Sequence, residues 1–220
     1  RESVTYTVRR NNIEVTASHR FCNAAPVTIA IYYGMQSMFE GETHVLTPGG
    51  AYTDWTEVAK ASTFTKQEHP LFRRYVEKNR QGYQSTWLLP DGLGDHALLD
   101  GQDDIFIYAP YGKSYHKLIG NKRMENGDKT CWRGVYTWFE TPIADDADLL
   151  CYEGSVGGHT AVFIDCKRAC KRTLALPGYL DLRHFGTAEQ NSGIRISAAG
   201  RNKLKIKAGA PGSCVLLLRE

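Results

Sequence analysis

The chain is expected to fold as a mainly β protein, an antiparallel β-sandwich or barrel-like core with one or two short helices. Three observations predict this. Several segments alternate apolar and polar residues with the period of two that a half-buried strand requires. These segments are rich in Val, Ile, Thr and Tyr, which suit a pleated surface. Turn-forming residues punctuate them throughout, and 21 glycines and 12 tyrosines among 220 residues fit the same pattern.

Taken in order, Val4 to Val8 and Ile13 to Thr16 alternate on either side of Asn11-Asn12 and read as a hairpin. Val27 to Tyr33 is a β-branched and aromatic run that ends at Gly34. His44 to Thr47 leads into the turn signal Pro48-Gly49-Gly50, with Ala51 to Trp55 beyond it. Strands this close together point to a sandwich or barrel rather than a strand–helix–strand unit. A helix is predicted over 69–80. There Pro70 suits a first turn, Leu71, Phe72, Tyr75 and Val76 form an apolar stripe, and Gly82 stands where a cap belongs. A shorter helix is predicted over 55–61, and residues 90–103 read as a long loop. Asp104 to Tyr108, Gly134 to Phe139, Leu149 to Tyr152, His159 to Asp165 and Arg172 to Leu176 read as further strands. The most regular pattern comes last: Gly193 to Ala198, Lys203 to Lys207 and Cys214 to Leu218, arranged as a meander. One domain over 1–220 is expected, and any subdivision would fall near 90–103.

Composition narrows the setting. No run of about 18 apolar residues exists, so no membrane span is expected. The chain begins at Arg1 with no apolar signal segment and reads as a mature form or a piece of something longer. Six scattered cysteines predict disulfides in an oxidising setting, hence a secreted or surface-exposed protein, although spacing cannot choose the pairing. Residues 1–110 hold 10 Lys/Arg against 13 Asp/Glu, whereas 111–220 hold 17 against 11, an uneven field that either steers an anionic partner or, more commonly, is a solvated basic surface.

Common signatures fail on inspection. Gly112-Lys113-Ser114 lacks the partner glycine of a phosphate loop, because that position is Ile107. Gly154-Ser155 is not flanked as a serine elbow requires, and both stretches read as loops. Cys166 and Cys170, with Cys151 and His159, are too irregularly spaced for zinc and are crowded by Lys167, Arg168, Lys171 and Arg172. Asp91, Asp95, Asp100, Asp103 and Asp104 lack the alternation of a calcium loop. No metal and no cofactor is therefore expected.

The run from Gly157 to Asp165 (GGHTAVFID) resembles the histidine strand of papain-like and NlpC/P60-like hydrolases. Cys22 to Gly34 (CNAAPVTIAIYYG) is similar to the cysteine helix of bacteriocin-processing peptidases. The resemblance implies a cysteine peptidase or amidase with Cys22 as nucleophile and His159 as its base. Asp165 shares a face with His159 but lies six strand residues on, roughly 20 Å away. The orienting carboxylate is then assigned to Asp181.

Two further groups are candidate binding residues. Trp132, Tyr136 and Trp138 form an aromatic cluster that suits either core packing or a stacking platform. Lys203, Lys205 and Lys207 share one face of a strand, where they guard against edge pairing or hold an anion. The reading that combines these signals is a secreted or surface-displayed interaction module of toxin, effector, adhesin or viral-projection type. Its expected partner is a host or partner protein or glycan rather than a nucleic acid, with the cysteine hydrolase as the alternative.

Overall fold

The computed structural model describes residues 1–38, 42–48, 52–57, 62–65, 74–89, 104–109, 113–190 and 193–218. Among them the first half contributes β1 (Glu2–Arg9), β2 (Asn12–Arg20), β3 (Val27–Met38), β4 (His44–Leu46), β5 (Thr56–Glu57), β6 (Ser62–Thr65), β7 (Arg74–Asn79), β8 (Gly82–Leu88) and β9 (Asp104–Ala109). The second half contributes β10 (Lys113–Met124), β11 (Lys129–Phe139), β12 (Ala144–Asp145), β13 (Leu149–Val156), β14 (His159–Cys166) and β15 (Cys170–Ala175). It ends with β16 (Phe185–Gln190), β17 (Ile194–Ala198), β18 (Lys203–Ala208) and β19 (Gly212–Leu218). Every pairing is antiparallel, and no helix occurs among the described residues.

The strands form four sheets that do not close into a barrel. Their orders are β1-β2-β11-β8-β7-β4-β5, β3-β10-β9-β6, β12-β13-β14-β19-β16 and β15-β18-β17. Three apolar clusters show how they stack. Val15, Ala17, Leu88 and Trp132 of the seven-stranded sheet meet Met35, Leu118 and Ile119 of the β3 sheet. The opposite face of the seven-stranded sheet, with Val76, Trp87 and Val135, packs on Tyr152, Phe163 and Val215 of the β14 sheet. That sheet's other face, with Val162, Ile164, Cys214 and Leu216, packs on Ile194, Leu204 and Ile206 of the β18 sheet. The result is a four-layer stack whose two inner sheets are buried on both faces, as period-two side chains allow.

Double burial explains why the predicted helix over 69–80 is absent. Arg74–Asn79 is a strand, β7, and residues 66–73 lie outside the described residues. Arg74, Tyr75, Val76 and Glu77 are all buried because β7 has a layer on each side, so the alternation that marks a strand is lost. Gly82 does adopt positive φ (130°), but it opens β8 after a tight turn, with Asn79 paired to Gly82, instead of capping a helix. The shorter helix is replaced at Thr56–Glu57 by β5, which pairs with His44 and Val45, and 58–61 lie outside the described residues. The turn at Gly49-Gly50, the loop at 90–103 and Asp91, Asp95, Asp100 and Asp103 also fall outside them.

Other expectations meet mixed outcomes. The first hairpin is present, with Val8 opposite Ile13. The long run from Val27 does not stop at Gly34 but continues through Met38. Lys113 and Ser114 open β10, and Gly154-Ser155 lie inside β13, so neither stretch is a loop. The terminal meander is broken: β17 and β18 pair, but β19 leaves them to sit between β14 and β16. All six cysteines are free thiols, with no disulfide. Cys151, Cys166 and Cys214 pack as small apolar groups in the layer between β14 and β18, where burial raises the Cys151 and Cys166 thiol pKa.

Two polar links cross the layers. Arg74 donates to both oxygens of Asp165, at 2.9 and 2.5 Å, tying the seven-stranded sheet to β14. Tyr152 accepts from the same guanidinium at 2.8 Å and donates to Ser85 at 2.7 Å. On the other side of β7, Glu77 is buried and accepts from Ser114 (2.6 Å) and from Ser37. Burial pushes the Glu77 carboxyl up to about 7, and the bonds from Ser114 and Ser37 limit the rise.

Candidate binding face

The β15-β18-β17 sheet is an outer layer, so each of its strands has one dry and one wet side. On β18 the residues alternate without exception: Lys203, Lys205 and Lys207 are exposed, while Leu204, Ile206 and Ala208 are buried. The neighbours keep the same phase. Register places Lys171 of β15 and Arg195 of β17 directly opposite Lys207, one on each side. Thr173 and Ser197 flank Lys205 in the next row, and Ala175 lies opposite Lys203. These outward positions carry five cations and no carboxylate. Four of the cations, Lys171, Arg195, Lys205 and Lys207, line a recess of about 610 Å³ together with Thr173, Ser197, Ile196 and Ile206.

β18 is the central strand, hydrogen-bonded on both edges. The expectation that its lysines guard an exposed edge is therefore corrected, since there is no edge for them to guard. Like charges placed directly opposite across strands are destabilising. The row Lys171, Lys207, Arg195 is such a placement, made twice.

Cations just beside this face are treated differently. Arg172 reaches Asp148 at 2.6 Å and Asp146 at 2.9 Å, and Arg168 reaches Asp148 at 2.7 Å. Hydrogen bonds from Arg172 and then Arg168 hold the Asp148 carboxyl below its usual range. Buried Lys167 is held by Asp145 at 2.8 Å, and Asp145 also accepts from Trp55, Lys78 and Tyr83. The segment 144–148 thus neutralises three of the four basic residues around Cys166 and Cys170 and leaves Lys171. Among the described residues, Lys171, Arg195, Lys203, Lys205 and Lys207 make no ion pair.

The aromatic candidates divide. Trp132 is buried and donates to the Tyr32 hydroxyl at 3.0 Å, so it belongs to the core. Tyr136 donates to the Gln36 carbonyl at 2.9 Å and stacks on Trp138, their centroids 5.8 Å apart. Only Trp138 is exposed, and it borders a separate recess with Asn11, Met38 and Gln84.

The hydrolase residues are not brought together. Cys22 is exposed just past the Arg20 end of β2, with Phe21 bonded to Asp128. His159 follows the Gly157-Gly158 turn at the opposite end, where the Gly157 amide donates to Glu14 at 2.8 Å and Arg9 lies against Gly158. Glu14 to Arg20 alone spans about 20 Å of strand. Asp181 is taken by Arg183 and Arg201, at 2.6 and 3.2 Å, and the Arg183 side chain holds its carboxyl well below the usual range. His159 and Cys166 open and close the same strand, so they do not share a metal. Glu42, His44 and Glu57 place donor atoms within 4.8 Å of one another, the one grouping among the described residues that could hold a metal ion.

Lys171 and Arg195 were not singled out as binding residues by sequence reasoning. The signal available was the shared alternation of Lys171-Thr173 and Arg195-Ser197, but only strand register aligns it with the lysines. No protein family, no curated protein and no solved structure matches the chain.

Proposed function

We propose that the chain is a non-enzymatic interaction module that engages a negatively charged partner through the outer face of β15, β18 and β17. The observation that carries this reading is the unneutralised row Lys171, Lys207 and Arg195. Folding gains nothing from opposed like charges, whereas a bound anion attracts each of them and offsets their mutual repulsion. A secreted or surface-displayed setting is compatible with this role but is not required by it. The disulfides that motivated that setting are absent.

The test is a comparison of the wild-type chain with K203S/K205S/K207S on arrays of defined proteins and glycans. Salt-sensitive binding that is lost in the triple variant is expected. An unchanged binding pattern in a folded variant would refute the reading. Melting supplies an independent check: with the repulsion relieved, the triple variant should be as stable as wild type or more so.

A further inference from the structure

We infer that the partner of this face is a linear sulfated polysaccharide, an assignment that rests on the binding role proposed above. Neighbouring lysines along β18 are about 6.6 Å apart, and neighbouring strands are about 4.8 Å apart. Five full charges therefore stand within a small, flat area, with Thr173 and Ser197 supplying hydroxyl groups between them. A ligand that meets them all must repeat its negative charges at comparable density. A polymer bearing more than one anionic group on many of its rings does so.

Three other polyanions compete with it: single-stranded nucleic acid, duplex DNA and an acidic protein. Single-stranded nucleic acid is held by bases stacked on aromatic side chains. The outward positions of these three strands carry no aromatic residue. Four of the five cations are lysines, point charges that hold phosphate and sulfate alike, so duplex DNA is the competitor that the calorimetry below decides on. An acidic protein would need apolar or aromatic anchors at the centre of the contact; the outward positions between the cations are Ala, Ser and Thr, and the apolar groups that reach the recess, Ile196 and Ile206, are half-buried and buried beneath them. The middle of the face offers charge and hydroxyls, which suits a hydrated sugar chain.

The experiment is titration calorimetry of the intact chain with four probes: a heparin oligosaccharide, its fully desulfated counterpart, a DNA duplex and a single-stranded oligothymidine. The heparin oligosaccharide should bind, and its affinity should fall on the order of 10- to 100-fold between about 50 and 200 mM salt. Each other probe should bind at least about tenfold more weakly. K203S/K205S/K207S should lose at least about tenfold, while K203R/K205R/K207R should retain binding. The inference is overturned if heparin does not bind at low salt, if either DNA binds as tightly, or if the folded serine variant keeps its affinity. Should heparin be inert while the serine variant still loses acidic protein partners on the array, the sugar assignment alone falls and the binding role stands.

Discussion

The layers on either side of β14 are held together by different chemistry. Between the seven-stranded sheet and β14, an ion pair is buried among aromatic rings: Arg74 and Asp165 beside Tyr152 and Phe163. Between β14 and β18 the contact is made by Leu, Ile, Val, Ala and free Cys. Farther out, between the seven-stranded sheet and β10, a carboxyl again occupies the interior, as Glu77. The inner and N-terminal layers thus contain charge or its protonated equivalent in fixed geometry. The layer beneath the cationic face is dry. An apolar seat leaves the outer chemistry free to vary, because the side chains of that cluster carry no charge of their own.

Removing one ion-pair partner tests the contrast most severely. Arg74→Ala leaves Asp165 buried without its counter-charge and should cost about 3–5 kcal/mol in urea unfolding. A loss below about 1 kcal/mol would mean that the ion pair is incidental to that layer. Leu204→Ala in the dry layer should cost about 2–5 kcal/mol, by the same measurement, through lost burial and a residual cavity. That cost should not change with pH, and a pH-dependent one would break the distinction drawn here.

Glu77 gives an effect that appears only as a slope with pH. Its folded pKa is raised to about 7, so between the usual carboxylate value and 7 the folded state holds more protons than the unfolded one. This contribution to stability is full below the unfolded pKa and declines as pH rises toward 7, by at most about 1.4 kcal/mol per pH unit. Glu77→Gln should remove that decline. Parallel stability–pH curves for wild type and variant would show that Glu77 does not titrate in the folded protein.

The outer layer was far easier to read from sequence than the inner ones. Lys203 to Lys207 announces itself because water lies on one side and apolar groups on the other, which is what alternation records. β7 imitates a helical stripe because both of its faces are covered. β10 was missed because its polar residues are not all on the surface: Ser114, His116 and Lys117 are buried, and register shifts interrupt its pairing with β3. The binding face was half legible. Its central lysines lie on one strand, but Lys171 and Arg195 join them only through cross-strand pairing, which no local pattern encodes. Cys22 and His159 looked plausible together because spacing in sequence carries no information about which end of a sheet each residue occupies.

The strict alternation along β18 has a consequence for redesign. Because successive residues point to opposite sides, the odd-numbered positions can be rewritten as a set while the even-numbered ones keep the layer seated. Acidic, aromatic or hydroxyl-rich versions of positions 203, 205 and 207, with 171 and 195 exchanged in step, would share one scaffold and differ only in what they attract. The sheet is a printed circuit with its contacts on one side and its solder on the other.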